Sequence, residues 1–305
     1  MRKVLIATDK PFAAEALAKI TKVFNKAGYD VALLEKYTAK SQLLEACADA
    51  EAMIVRSDII DREVLDHAPQ LKIVIRAGAG YDNIDCGYAK EKGVVVMNTP
   101  GQNANAVAEL AIGLAIYGIR EMYSGKAGRE LRGRTLGLHG FGYVARNVFR
   151  IARALGMKVI VHTRHSRDAA GAIGLKVTKS LEELYKKSDV VSIHVPAKGE
   201  HIRSVSYPVL RELKKGAILV NTARKEVINE DDLVQFMRER DDVKYLTDIE
   251  PDQKQAFLDE FKGRYYATPK KMGAQTAEAN TNAGVAAAEQ IVAFFESNDT
   301  SFQVN

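Results

Sequence analysis

A chain of 305 residues, 47% hydrophobic and 27% charged, has the make-up of a soluble globular protein and is too long for one hydrophobic core, so two domains are expected. Two cysteines, Cys47 and Cys86, exclude a disulfide framework, and no apolar run reaches the roughly 18 residues of a membrane span. The net charge of +5 is scattered rather than striped and accompanies no nucleic-acid motif, so the expected partner is an anionic small molecule. A cytoplasmic protein is expected, without metal, membrane or nucleic acid.

In chain order, KVLIAT, AMIVRS, KIVIRAG and GVVVMNT are near-continuous apolar, β-branched runs of the kind buried on both faces of a parallel sheet. Between them PFAAEALAKITKVFNKAG and SQLLEACADA read as helices, the first opening with proline and closing at glycine. The first hundred residues thus predict one α/β unit. From Asn103 to about Arg120, NANAVAELAIGLAIYGIR predicts a long helix, apolar over much of its surface and expected between domains. The polar EMYSGKAGRELRGR connects it to a second α/β series with TLGLHGFG, MKVIVHT, DVVSIHVP, GAILVNTA and VKYLTD as strands. AEANTNAGVAAAEQIVAFFES is a closing helix.

One turn carries chemistry. Gly140, Gly142 and Ala145 form G-x-G-x-x-A after an apolar strand, at the mouth of the helix YVARNVFRIARALG and ahead of the strand KVIVHT. In that frame glycines let backbone N–H groups approach a pyrophosphate at a helix N-terminus, which predicts dinucleotide binding. The second strand should then end near an Asp or Glu for the ribose hydroxyls, yet Thr163, Arg164, His165, Ser166 and Arg167 stand there. Arg164 or Arg167 suits a 2′-phosphate, so NAD(H) and NADP(H) both stay open.

From about residue 51 onward, IVRSDIIDREVLDHAPQLKIVIRAGAGYDNID, GVVVMNTPGQNANAVAELAIGL, RGRTLGLHGFGYVARNVFRIARALGMKV, SDVVSIHVP and LKKGAILVNTARKEVINEDDL together resemble the D-2-hydroxyacid dehydrogenase family, and within it the D-3-phosphoglycerate dehydrogenases. The resemblance implies two Rossmann-like domains with parallel sheets. A flavodoxin-like substrate domain comprises residues 1–100 and 272–305, with a dinucleotide domain, 101–271, inserted into it. It implies an active site in the cleft between them and a homodimer formed through the helix after Asn103. Arg224 matches the family's catalytic arginine, whose guanidinium holds a carboxylate bidentately while polarising the reacting oxygen. Asp248 matches the strand-end aspartate near the nicotinamide. Tyr143, Val144, Thr163, Arg164 and Thr222 join Gly140 and Gly142 as cofactor contacts. Arg56, Ser57, Ala79, Gly80 and Asn103 match positions that hold the substrate's phosphate and carboxylate.

Two positions depart from the family pattern. Where a glutamate normally partners the catalytic histidine the chain has Gln253, which makes Glu250 the expected equivalent. Where histidine normally follows Thr-Pro, Thr268-Pro269 is followed by Lys270 and Lys271. A lysine ammonium is a ready proton donor for ketone reduction and a poor base at neutral pH, so Lys270 as acid/base favours reduction, or oxidation at alkaline pH. A short-form subgroup with lysine at this place supports a functional replacement. The expected activity is reversible hydride transfer between NAD(P)H and 3-phosphohydroxypyruvate, giving D-3-phosphoglycerate, the entry to phosphorylated serine synthesis. Hydroxypyruvate or glyoxylate reduction is the sibling reading. An NAD(H)-sensing, corepressor-like binding protein is the reading from another class. With Asn305 as its last residue, the chain is not expected to carry a C-terminal serine-sensing domain.

Overall fold

A computed structural model describes residues 1–164 and 166–305. In chain order the elements are β1 (Lys3–Thr8), α1 (Ala14–Ala27), β2 (Asp30–Glu35), α2 (Lys40–Cys47), β3 (Ala52–Val55), α3 (Arg62–His67), β4 (Ile73–Arg76), α4 (Cys86–Glu91) and β5 (Val95–Asn98). Then come α5 (Ala104–Ile119), β6 (Thr135–His139), α6 (Tyr143–Ala154), β7 (Lys158–His162), α7 (Arg167–Ala172), β8 (Lys176–Val177), α8 (Leu181–Lys187) and β9 (Val190–Ile193). The last are α9 (Tyr207–Leu210), β10 (Ile218–Asn221), α10 (Glu230–Glu239), β11 (Lys244–Thr247), α11 (Lys254–Glu260), β12 (Tyr265–Ala267) and α12 (Ala277–Ser297). The chain divides into two compact units, Met1–Asn103 with Gln275–Asn305, and Ala104–Ala274.

The first unit is a five-stranded parallel sheet in the order β2-β1-β3-β4-β5, the flavodoxin-like arrangement. All four residues of β3 are buried, as a central parallel strand requires, whereas β2 on the edge has no fully buried residue. One face is covered by α1 and α12, where Ala283, Ala287, Ala288 and Ile291 join Ile20 and Phe24 in one core. Gly284 lets the two helices approach closely: a Cβ there would stand 2.5 Å from Ile20 Cδ1 and 3.0 Å from Phe12 Cε1. The terminal Asn305 is stitched to β5, its Oδ1 accepting from Val96 N (2.9 Å) and its Nδ2 donating to Val94 O (2.8 Å).

The second unit is a seven-stranded parallel sheet in the order β12-β11-β10-β9-β6-β7-β8. Counted from β6, this is the doubly wound dinucleotide-fold order extended by one strand, and its direction of winding reverses between β6 and β9. Helix α5 lies on this unit's own sheet, with Gly118 against Ile218 and Leu246. It leads into a turn, Glu121–Tyr123, whose three non-glycine residues all take positive φ (53°, 53° and 55°). Lys244, 6% exposed, holds that turn by donating from Nζ to Glu121 Oε1 at 2.9 Å.

Candidate active site

In a doubly wound sheet the loops beyond the carboxyl ends of the strands form the binding edge, and the reversal between β6 and β9 opens a crevice. A pocket of about 230 Å³ lies there in the second unit, walled by His139–Gly142 after β6, His162–Arg164 after β7 and His194–Pro196 after β9. Gly140 has φ +101°, and a Cβ would stand 2.7 Å from His194 O, so only glycine lets the β6 turn pass the β9 turn. Gly142, by contrast, has nothing among the described residues within 4 Å of a would-be Cβ and is the N-cap of α6, where it can offer no side-chain cap. Tyr143 is exposed and Val144 half-buried just behind it.

The pocket wall is rich in imidazoles. His139 and His194 are each pushed down to about 3, in both by burial and in His139 also by its histidine neighbours, so both are neutral at physiological pH. His139 Nδ1 and His194 Nε2 have no hydrogen-bond partner among the described residues. Neither histidine was expected at the site. The signal that could have found them is their place at the strand ends of GLHG and SIHVP. Thr163 is buried, its carbonyl accepting from Arg167 Nε at 3.2 Å, and Arg164 Nη1 donates to Glu200 Oε1 at 2.7 Å. His165 lies outside the described residues.

On the other side of the reversal, three neighbouring strands end level. Asn221 of β10 pairs with Thr247 of β11, which pairs with Ala267 of β12. Arg224, Glu250 and Lys270 each stand three residues past that row, so the sheet itself delivers the three to one edge. Local hydrogen bonds shape each turn. Asn221 Nδ2 donates to Arg224 O at 3.0 Å, while its Oδ1 accepts from Ala223 N at 3.0 Å. Thr268 Oγ1 donates to Lys270 O at 2.6 Å. Asp248, 1% exposed, accepts from Gly273 N at 2.7 Å on Oδ2, tying the end of β11 to the far side of the lysine turn. Burial raises its carboxyl above the ordinary range, opposed by that hydrogen bond and by Lys271. Its Oδ1, like Thr222 Oγ1, is buried without a partner among the described residues.

The side chains past the row differ in freedom. Arg224 is half-buried and donates from Nη1 to Ala223 O at 2.9 Å, and Lys270 is exposed. Glu250 accepts from Lys254 Nζ at 2.7 Å one helical turn ahead. Of the neighbouring candidates, Asp252 pairs with Lys225, and Gln253 Nε2 donates to Asp231 Oδ1 at 2.8 Å.

In the first unit, Arg56-Ser57, Ala79-Gly80 and Asn103 follow the carboxyl ends of β3, β4 and β5, three adjacent strands, and so gather at one edge of that sheet. Arg56 is strongly engaged within the unit. Its Nη1 donates to Lys10 O (2.8 Å) and Pro11 O (3.3 Å), its Nη2 to Asn280 Oδ1 (2.7 Å), and its guanidinium carbon lies 5.1 Å from the centre of the Phe12 ring. Buried Asp58 fixes the loop by accepting from Asp9 N, Tyr37 Oη and Arg56 N. Ser57 and Ala79 are exposed, and Gly80 and Asn103 half-buried.

Residues 4–305 match the model of the D-isomer specific 2-hydroxyacid dehydrogenase catalytic domain. The chain belongs to this family. Among solved structures it is similar to an NAD⁺-bound 3-phosphoglycerate dehydrogenase of Entamoeba histolytica, with 44% identity, a TM-score of 0.89, and coverage of 100% of this chain and 98% of that one. It is 34% identical over 272 residues to the D-3-phosphoglycerate dehydrogenase of Methanocaldococcus jannaschii, covering 83% of this chain and 51% of that protein. It is 33% identical over 283 residues to the hydroxypyruvate reductase of Thermotoga maritima, covering 86% of this chain and 90% of that protein. The chain thus spans about half the length of the curated D-3-phosphoglycerate dehydrogenases it matches. Among the described residues of this family member, no helix is long and apolar enough to cross a membrane, and no cluster of His, Cys, Asp or Glu is placed to hold a metal ion.

Proposed function

We propose that the chain is an NAD(P)-dependent D-3-phosphoglycerate dehydrogenase, its second unit binding the dinucleotide and carrying the chemistry and its first unit binding the substrate. The observation that carries the reading is the level row of β10, β11 and β12, past which an arginine, a glutamate and a lysine each follow three residues on, at the same edge of three neighbouring strands. The residues also fit a dinucleotide. The first turn of α6 opens at a glycine whose would-be Cβ meets no described residue within 4 Å, which suits a pyrophosphate, and Thr222 Oγ1 and Asp248 Oδ1 are buried polar atoms without partners among the described residues. Similarity to an NAD⁺-bound relative favours NAD.

When bound, the nicotinamide supplies or accepts the hydride. Arg224 holds the substrate's carboxylate and polarises the adjoining oxygen. The Lys270 ammonium gives a proton to the ketone oxygen as reduction proceeds and retrieves it in the reverse direction. Such a donor suits reduction, in which the ketone oxygen takes up a proton. Glu250 is the carboxylate assigned to the lysine, which requires it to exchange Lys254 for Lys270. Arg56 takes the distal phosphate with the two guanidinium N–H groups left after its three internal bonds.

Those internal bonds favour a second reading, in which Arg56 is structural and the substrate is hydroxypyruvate or glyoxylate. Steady-state rates on 3-phosphohydroxypyruvate, hydroxypyruvate and glyoxylate decide between the two. The first reading expects a preference for the phosphorylated acid that Arg56→Ala abolishes. In Lys270→Ala turnover should fall by about 10²–10⁴ with cofactor affinity kept. Dinucleotide binding without turnover on any of the three acids would favour a sensing role instead. A homodimer is part of the proposal and is read from sedimentation equilibrium.

A further inference from the structure

The end of β7 lacks the carboxylate that a ribose-binding strand normally presents, and Arg164 in its place invites an extra phosphate. Yet that arginine is already claimed. Glu200, on the short 3-10 turn Gly199–His201 in the connection after β9, accepts from Arg164 Nη1 at 2.7 Å, and both residues line the 230 Å³ pocket. The side chains remain 59% and 50% exposed, so a ligand entering the pocket can reach both. The second cation near the strand end, Arg167, is turned back with its Nε on Thr163 O. His162, on the same wall, is shifted toward its neutral form by burial and by these two arginines.

We propose that Glu200 is the cofactor-selecting residue of this chain: it supplies from the β9 loop the carboxylate that the β7 strand end lacks, and neutralises Arg164 so that a 2′-phosphate meets no uncompensated cation. The inference rests on the dinucleotide reading above. A carboxylate oxygen not used by Arg164 accepts from a ribose hydroxyl, whereas a 2′-phosphate brought to the same place faces the Glu200 charge and finds the Arg164 guanidinium occupied. An exposed ion pair of this kind contributes little to folding, so its removal should alter binding rather than stability.

The test is equilibrium binding of NADH and NADPH by fluorescence, with calorimetric titration of 5′-AMP and adenosine 2′,5′-bisphosphate, on the full chain and on Glu200→Gln, Arg164→Gln and the double variant. The full chain should bind NADH at least about 10-fold tighter than NADPH. Glu200→Gln should shift that ratio toward NADPH by about 10- to 100-fold, with the same trend for the two adenosine phosphates and an unchanged thermal midpoint. In the double variant the shift should be smaller than in Glu200→Gln alone, because the released Arg164 supplies part of it and the lost Glu200 charge the rest. A ratio unmoved by Glu200→Gln, a shift of undiminished size without Arg164, or a native preference for NADPH overturns the assignment while leaving dinucleotide binding intact. Failure of the native chain to bind either dinucleotide overturns both.

Discussion

Alanine at Gly140 and at Gly142 adds the same methyl group two residues apart, and the geometry separates the consequences. At Gly140 the φ of +101° costs an L-residue about 1–3 kcal/mol, and a Cβ 2.7 Å from His194 O and 2.8 Å from Val195 Cγ1 adds about 1–3 kcal/mol of overpacking, because a backbone carbonyl cannot swing aside as a side chain can. Together these give about 2–6 kcal/mol, a fall in Tm of roughly 8–16 °C near the middle of that range. At Gly142 φ is −85° and, chain neighbours aside, no atom of the described residues lies within 4 Å of a would-be Cβ, so the folded apo chain should lose less than about 0.5 kcal/mol. The same methyl group narrows the backbone's approach to a pyrophosphate at the opening of α6, and NADH should bind at least about 10-fold more weakly. Urea denaturation of the apo protein and fluorescence titration with NADH measure the two effects independently. Equal loss of stability in both variants, or undiminished NADH affinity in Gly142→Ala, would refute the argument that one glycine serves packing and the other serves the ligand.

Asp248→Asn should leave the apo protein as stable as the native chain or more so by about 1 kcal/mol at pH 7, since it removes a buried charge while keeping an acceptor for Gly273 N. The native carboxyl is raised, so it binds its proton more readily folded than unfolded, and its contribution to stability falls as pH rises from the ordinary carboxylate range through the raised value. Urea midpoints of the two proteins should therefore converge as pH is lowered through that window, and divergence would contradict the assigned cause. Glu121→Ala strands the Lys244 ammonium, whose side chain is 8% exposed, and should cost about 2–4 kcal/mol, whereas Lys244→Met should be nearly neutral; thermal denaturation of both variants checks the asymmetry.

Much of the architecture is legible from local signals, because parallel strands buried on both faces announce themselves as short apolar β-branched runs, and the Gly140 turn carries its strand before and its helix after. What escapes is short, exposed or non-local. Strand β2 has no fully buried residue, and β8 and β12 span only two and three residues, too few to establish a period. Nothing in Glu121-Met122-Tyr123 signals positive φ, since none of those residue types favours it, and the residue that ties the turn, Lys244, stands more than a hundred residues away. For the candidate site, Arg224 and Lys270 are visible as strand-end residues, but their common register becomes visible only once β10, β11 and β12 are paired. Glu200 is likewise silent in sequence. It meets Arg164 across the crevice between β6 and β9, a neighbourhood created by strand order rather than by spacing along the chain.

The first unit draws its last helix from beyond the second, and that ordering has a consequence during synthesis. When residues 1–103 leave the ribosome, the faces of Phe12, Ile20 and Phe24 that α12 will cover are still bare, and the covering segment, 277–297, emerges only after the whole of 104–274. The inserted unit can therefore complete itself while its host still shows an oily flank, a vectorial lag in which a nascent chain is most exposed to aggregation and to holdase chaperones.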